Sequence, residues 1–211
     1  MRTKSGRQLL QGISGIAVPG EVVALMGASG AGKTTLLNSL LQRNLKGLVV
    51  KGEVLVNGQP IGKNISSVSA YVQQEDIFVG TLTIREHLMI QARLRLNCSQ
   101  KEREERVQQV IQEMLLESSQ ASVIGIPGLV KGISGGEMKR LAFATETLNN
   151  PPILFCDEPT TGLDSYMAMT IVQRLEAMAG DHGKTIICTI HQPSSEVFEL
   201  FDKVNQLLSK T

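Results

Sequence analysis

Apolar residues fall along the chain in two rhythms. Short runs rich in β-branched residues, at Val22 to Met26, Glu53 to Val56, Ser69 to Val72, Ile153 to Cys156 and Thr185 to Ile190, have the length and composition of buried strands. Other segments carry a helical period. Leu36, Leu37, Leu40 and Leu41 give one apolar face to a helix starting near Lys33. Thr83 and Glu86 stand at capping-box spacing before a helix predicted to run to about Leu96. The stretch Lys101 to Glu117 opens with charges and then sets Val107, Val110, Ile111, Met114 and Leu115 on one stripe. Asp164 is placed to cap a helix with Met167, Ile171, Leu175 and Met178 on one side.

Strands alternating with helices predict an α/β fold with a mostly parallel sheet covered on its faces. The predicted strands cluster before about residue 80 and after about residue 150, and the middle is helical and polar. This divides one domain, 1–211, into a core of about 1–80 and 150–211 and an inserted helical subdomain of about 81–149. Length and composition agree: 211 residues, 42% hydrophobic and 19% charged, can bury a globular core. A formal net charge of +1 offers no basic footprint for nucleic acid. No apolar run approaches the roughly 20 residues that span a bilayer. The three cysteines, Cys98, Cys156 and Cys188, lack zinc-ligand spacing and read as thiols in a reducing compartment.

Chemistry enters at three places. Gly27-Ala28-Ser29-Gly30-Ala31-Gly32-Lys33-Thr34 matches the P-loop pattern in full, between a predicted strand and a predicted helix. Its glycines let backbone N–H groups turn toward an anion, the helix N-terminus adds partial positive charge, Lys33 supplies a point charge, and the Thr34 hydroxyl is a hard ligand for Mg²⁺. Thr35 is the next hydroxyl in reach of phosphate. The apolar run Ile153 to Cys156 then ends in Asp157-Glu158-Pro159. An acid at such a strand end holds Mg²⁺ in P-loop ATPases, and the next acid is placed to polarise an attacking water. Third, Ser134-Gly135-Gly136-Glu137 opens a helix with a capping box and two glycines, which makes a second anion-accepting turn. One phosphate chain does not need two such turns. Two chains arranged head to tail would use both.

With Ile133-Ser134-Gly135-Gly136-Glu137 read as a signature motif beside the P-loop and the acid pair, the chain resembles the nucleotide-binding domain of an ABC transporter over nearly its whole length. Tyr71-Val72-Gln73-Gln74-Glu75-Asp76 resembles the Q-loop, with Gln74 the better match and Gln73 the second. Gly162-Leu163-Asp164-Ser165 resembles the D-loop, and Thr189-Ile190-His191-Gln192-Pro193 the switch-histidine segment. The stretches Tyr71 to Phe78, Gly80 to Leu88, Val130 to Glu137 and His191 to Lys203 resemble subfamily G, the White-type half-transporters.

The resemblance implies a P-loop NTPase (RecA-like) core with an inserted helical subdomain carrying the signature motif. It implies ATP and Mg²⁺ as cofactors and Glu158, His191 and Lys33 as catalytic groups. ATP would be held by Gly27, Ala28, Ser29, Gly30, Ala31, Gly32, Lys33, Thr34, Thr35, Gln74, Ser134, Gly135, Gly136, Glu137 and Asp164, and the metal by Thr34, Gln74 and Asp157. It further implies a second nucleotide-binding domain as partner, a membrane domain in the same or a partner chain, and a place on the cytoplasmic face of a membrane.

Three features depart from the family pattern. The sequence stops soon after the helix following His191, with a segment after Lys203 more polar than the strand expected there; only about twenty residues precede the P-loop, with no aromatic among them to stack on adenine; and Met138 stands where the family usually has a basic or polar residue. The first two suggest a fragment lacking the membrane domain. A truncated nucleotide-binding regulator of a full half-transporter and a soluble non-transport ABC ATPase stand as alternatives to an ATPase that powers transport of pigment precursors, sterols or other lipophilic compounds.

Overall fold

The computed structural model describes residues 1–75, 77–126 and 128–207, so Asp76 of the glutamine segment and residues 208–211 lie outside it. In chain order the elements are β1 (Arg2–Thr3), β2 (Val22–Met26), α1 (Lys33–Leu40), β3 (Leu48–Val49), β4 (Leu55–Val56), β5 (Gln59–Pro60), α2 (Ile65–Val68), β6 (Ser69–Val72), α3 (Ile84–Arg95), α4 (Gln100–Glu113), α5 (Gly135–Thr147), β7 (Ile153–Cys156), α6 (Ser165–His182), β8 (Thr185–Ile190), α7 (Ser195–Phe198) and β9 (Lys203–Gln206). Four of the five predicted strands form where the sequence places them and make one sheet with β9, in the order β6-β7-β8-β2-β9. Every pairing in that sheet is parallel.

Alternation along each strand divides the core in two. Val22 and Ala24 of β2, Val72 of β6, Leu154 and Cys156 of β7, and Ile186, Cys188 and Ile190 of β8 face a large cluster shared with α3, α4, α5 and α6. Leu25 and Phe155, one residue out of phase, face a smaller cluster with Leu37 and Leu41 at α1 and Ile65 of α2. A sheet covered on both faces needs strands apolar at nearly every position, which is why these runs read clearly in the sequence. A fully buried leucine such as Leu37 is worth about 1.5–3 kcal/mol by transfer.

The helices also begin where their caps lie. Thr83 and Glu86, Ser99 and Glu102, and Ser134 and Glu137 each form a reciprocal capping box. The Asp164 side chain accepts from the Met167 N–H at 2.9 Å, and α6 ends at Gly183 in the left-handed region, φ 60°. The C-terminal carbonyls of α5 are held from α4: Arg106 Nη2 donates to Thr147 O at 2.6 Å and Nε to Leu148 O at 3.0 Å. From α3, Arg95 Nη1 donates to Thr145 O at 3.1 Å. His87 packs edge-on to Phe78 and lies 3.2 Å from the Thr145 hydroxyl. Burial, with Arg95 nearby, lowers its pKa to about 4, so this helix contact is made by a neutral imidazole near neutrality.

Two expectations are corrected, and one departure finds its place in the fold. Leu115 leaves the apolar stripe: α4 stops at Glu113, Leu115 takes φ 52° and stands 45% exposed, and Leu116 enters the core in its place. The run Glu53 to Val56 is no buried core strand. Only Leu55 and Val56 are extended, pairing with β5 in a separate hairpin with Leu55 53% exposed. Asn57 and Gly58 both have positive φ, 51° and 76°, which is the Asn-Gly turn that closes two-residue hairpins. Conversely, the polar segment after Phe201 does form a strand: β9 adds to β2 at the sheet edge, Val23 opposite Lys203 and Met26 opposite Gln206. An edge strand tolerates polar residues because part of it meets water.

The approach to α5 is tightly packed. A Cβ at Gly132 would lie 2.0 Å from Ile124 O and 2.4 Å from the Gly125 Cα. Backbone cannot yield as a flexible side chain can, so Gly132→Ala is expected to cost about 1–3 kcal/mol. A urea midpoint equal to that of the unmodified chain would contradict this packing.

Candidate nucleotide-binding site

The parallel strands bring their C-terminal ends to one edge, where α/β sheets place their ligand sites. The loop between β2 and α1 lies there. Gly30 and Gly32 have φ 79° and 95°, and Gly32 is the N-cap of α1 without any side-chain cap. A Cβ on Gly32 would need a left-handed backbone and would meet Leu10 Cδ2 at 2.8 Å. The first N–H groups of α1 are therefore left for an anion. Ala28, Ser29, Gly30 and Thr34 are exposed, whereas Lys33 is 5% exposed. Its ammonium donates to Gly27 O at 2.9 Å and Ala28 O at 3.4 Å, inside the loop, and lies 3.4 Å from Glu158 Oε1.

Asp157 is 2% exposed and accepts three hydroxyl hydrogen bonds. Thr34 Oγ1 donates to Oδ1 at 3.1 Å, Thr189 Oγ1 to Oδ1 at 2.6 Å, and the Tyr71 hydroxyl to Oδ2 at 3.0 Å. Burial, reinforced by the Asp157 charge and this hydrogen bond, raises the Tyr71 pKa, so the phenol stays protonated as donor. The Arg43 guanidinium lies 5.0 Å from the centre of the Tyr71 ring, on the opposite side of the balance. Tyr71 and Thr189 thus orient the carboxylate from the two neighbouring strands. Sequence reading missed both roles: Thr189 stood inside an apolar run and Tyr71 beside a glutamine pair.

Glu158 takes φ 48°, a left-handed backbone that costs a non-glycine residue about 1–3 kcal/mol. Its N–H donates to Thr189 Oγ1 at 2.8 Å, and its Oε2 accepts from Thr161 Oγ1 at 2.8 Å and Gln74 Nε2 at 3.2 Å. The cost is borne where the side chain turns toward Lys33. Gln74, and not Gln73, is the glutamine bound to this carboxylate. His191 follows the last residue of β8 and is exposed; Gln192 after it is left-handed, φ 45°.

Thr34 and Asp157 offer two hard oxygens at hydrogen-bond distance, a fit for Mg²⁺. Among the described residues no group of three or more His, Cys, Asp or Glu could hold a metal by itself. A cation here would take its other ligands from nucleotide oxygens and water, the habit of Mg²⁺.

The second turn is separate. Ser134 and Gly135 are exposed, and the Ser134 N–H and hydroxyl each donate to Glu137 Oε2 at 2.8 Å. Burial works against the Glu137 charge, but those bonds outweigh it and lower its pKa. Gly136 is packed on α6: a Cβ there would lie 2.1 Å from Met167 Cε. The signature-like turn therefore rests on the helix that Asp164 caps. The structure joins Lys33, Thr34, Gln74, Asp157 and Glu158 into one hydrogen-bonded site, and leaves Ser134 to Glu137 as another.

The ABC transporter family model matches residues 10–161, most of the chain and the elements from β2 through β7. The chain belongs to the ABC transporter family. This member is 56% identical to the ABC transporter ATP-binding protein/permease wht-3 of Caenorhabditis elegans, over 96% of its length and 32% of that protein's. It is 55% identical to Protein white of Drosophila melanogaster, over 94% of its length and 29% of that protein's. The resemblance to White-type transporters is borne out, and the chain spans about a third of the length of the relatives it matches. Among solved structures it is similar to a dimeric bacterial ABC transporter cassette, with TM-score 0.75, 26% identity, and 95% and 87% of the two chains covered. A cassette in a post-hydrolysis state bound to ADP and Pi gives TM-score 0.74 and 25% identity, with 96% and 89% covered. The expected α/β P-loop NTPase fold is thereby borne out. Among the described residues no helix is long and apolar enough to cross a membrane.

Proposed function

We propose that this chain is the ATP-hydrolysing domain of a half-transporter and works as a clamp with a second such domain. The observation that carries this reading is the pair of anion-accepting turns, one bound to the acid pair and the other exposed on α5. Two chains set head to tail place the Ser134 turn of each over the phosphate loop of the other. Gly27 to Gly32 and the N-terminus of α1 then receive the phosphates, with Thr35 nearby and Lys33 on the β- and γ-phosphates. Ser134, Gly135, Gly136 and Glu137 of the other chain, with Asp164 behind them, close the pocket.

Thr34 and Asp157 would hold Mg²⁺, with Gln74 at its edge; the ion would supply charge neutralisation on the phosphates. Glu158 is placed to take the proton of the attacking water, and His191 to contact the γ-phosphate. The bound nucleotide's charge favours the closed pair, and hydrolysis removes that preference. A membrane domain in the same or a partner chain would harness the motion, with this domain on the cytoplasmic face and cargo of the lipophilic or pigment-precursor kind. On this reading the core spans about 1–80 and 150–211, and the helical subdomain about 81–149.

A photoreactive ATP trapped on the chain is expected to label both the phosphate loop and the Ser134 turn of the other copy, with sedimentation moving from monomer to dimer. Labelling confined to the phosphate loop, in a species that stays monomeric, would overturn the clamp.

A further inference from the structure

Lys139 lies in the second turn of α5 and is 3% exposed. Its ammonium reaches out of the helical region to the end of β6, donating to Gln74 O at 2.9 Å and Gln73 O at 3.4 Å. A buried ammonium is tolerated only where such acceptors meet it. The residue it grips is the one whose side chain binds the candidate base: Gln74 Nε2 donates to Glu158 Oε2 at 3.2 Å, and Glu158 Oε1 lies 3.4 Å from Lys33 Nζ. A continuous polar path therefore runs from the Ser134-capped helix through Lys139 and Gln74 to Glu158 and Lys33.

We propose that Lys139 is a positioning residue that fixes Gln74 against Glu158 and ties both to the Ser134 turn. This rests on the paired-clamp reading. There the Ser134 turn of a chain serves its partner's nucleotide, while Gln74 and Glu158 serve the chain's own. Lys139 then couples the two pockets: seating α5 on the partner's nucleotide sets the carboxylate that acts on the chain's own ATP. A charged donor suits this role because its hydrogen bonds are about twice as strong as neutral ones and resist displacement of the carbonyls they hold.

The test uses the chain with ATP and Mg²⁺. In Lys139→Met, ATP affinity by fluorescent-nucleotide displacement stays within about twofold while kcat falls by roughly tenfold. Lys139→Arg, which still donates, restores kcat to within about threefold. Combining Lys139→Met with Gln74→Ala costs no more than Gln74→Ala alone, since one acts through the other. The side-chain amide resonance of Gln74 in the nucleotide-free chain shifts in Lys139→Met and keeps its place in Lys139→Arg. An unchanged kcat, an additive double variant, or a melting temperature and ATP affinity that fall in step with kcat would each overturn the proposal. Should Lys139→Met not fold, Lys139→Gln carries the same expectations with a smaller loss. Failure of the unmodified chain to pair would remove the clamp instead. The Gln74 resonance then decides alone, a shift supporting the link and an unmoved signal refuting it.

Discussion

Replacing Glu158 by Gln leaves ATP bound and lowers its turnover by about 10²-fold or more, the loss expected when a general base is removed. The substitution keeps the size and shape of the side chain. The left-handed backbone at φ 48° and the N–H bond to Thr189 are unaffected by the side-chain change. What changes is the capacity to accept. The carboxylate takes bonds from Thr161 and Gln74 on one oxygen and faces Lys33 with the other. An amide has one accepting oxygen and no charge, so it can neither meet all three groups nor remove a proton from water. Nucleotide affinity should hold, because the phosphates lie on the loop, on Lys33 and on the N-terminus of α1. Equilibrium binding and phosphate release measured on one preparation check both halves; hydrolysis at the unmodified rate would remove Glu158 from the chemistry.

Lys33→Ala acts at the other end of that ion pair and fails differently. Its ammonium is the fixed cation of the loop, and losing a charge-assisted contact to phosphate corresponds to about 1.5–3 kcal/mol, or a Kd raised by roughly 10- to 150-fold. The nucleotide-free protein also suffers. Glu158, 18% exposed, loses its cation, and Gly27 O and Ala28 O lose their donor. Lowered melting temperature and weakened ATP binding are thus expected together. Adding Glu158→Gln to Lys33→Ala should recover stability without recovering affinity, because only the first loss comes from the unpaired carboxylate. Isothermal titration and thermal melting of the three variants separate the effects, and an affinity equal to that of the unmodified chain would discard the phosphate role of Lys33.

Much of this molecule is legible in residue order alone. Four core strands begin and end where their apolar runs do, since a parallel sheet buried on both faces demands such runs. The helix starts are equally plain, because a cap and its Glu lie within one turn of each other, as at Thr83 and Ser134. The phosphate loop and the acid pair are local for the same reason: one turn of backbone makes each. Errors fell where local pattern competes with context. The apolar pair Leu55 and Val56 closed on its own hairpin through Asn57-Gly58, and polar β9 found an edge where polarity costs little.

What residue order did not contain was the wiring. Tyr71 and Asp157, Thr189 and Asp157, Gln74 and Glu158, and Lys139 and Gln74 are pairs far apart in the chain. Each bond depends on β7 lying between β6 and β8 in one register, and on α5 packing over the end of β6. The sequence by itself determined which groups can hold phosphate, metal and proton, because those capacities belong to side chains and to single turns. Only the tertiary structure decided which of them share a site and which face away. Hydrogen bonds act over a few ångströms, and strand order and register alone bring distant residues within that reach.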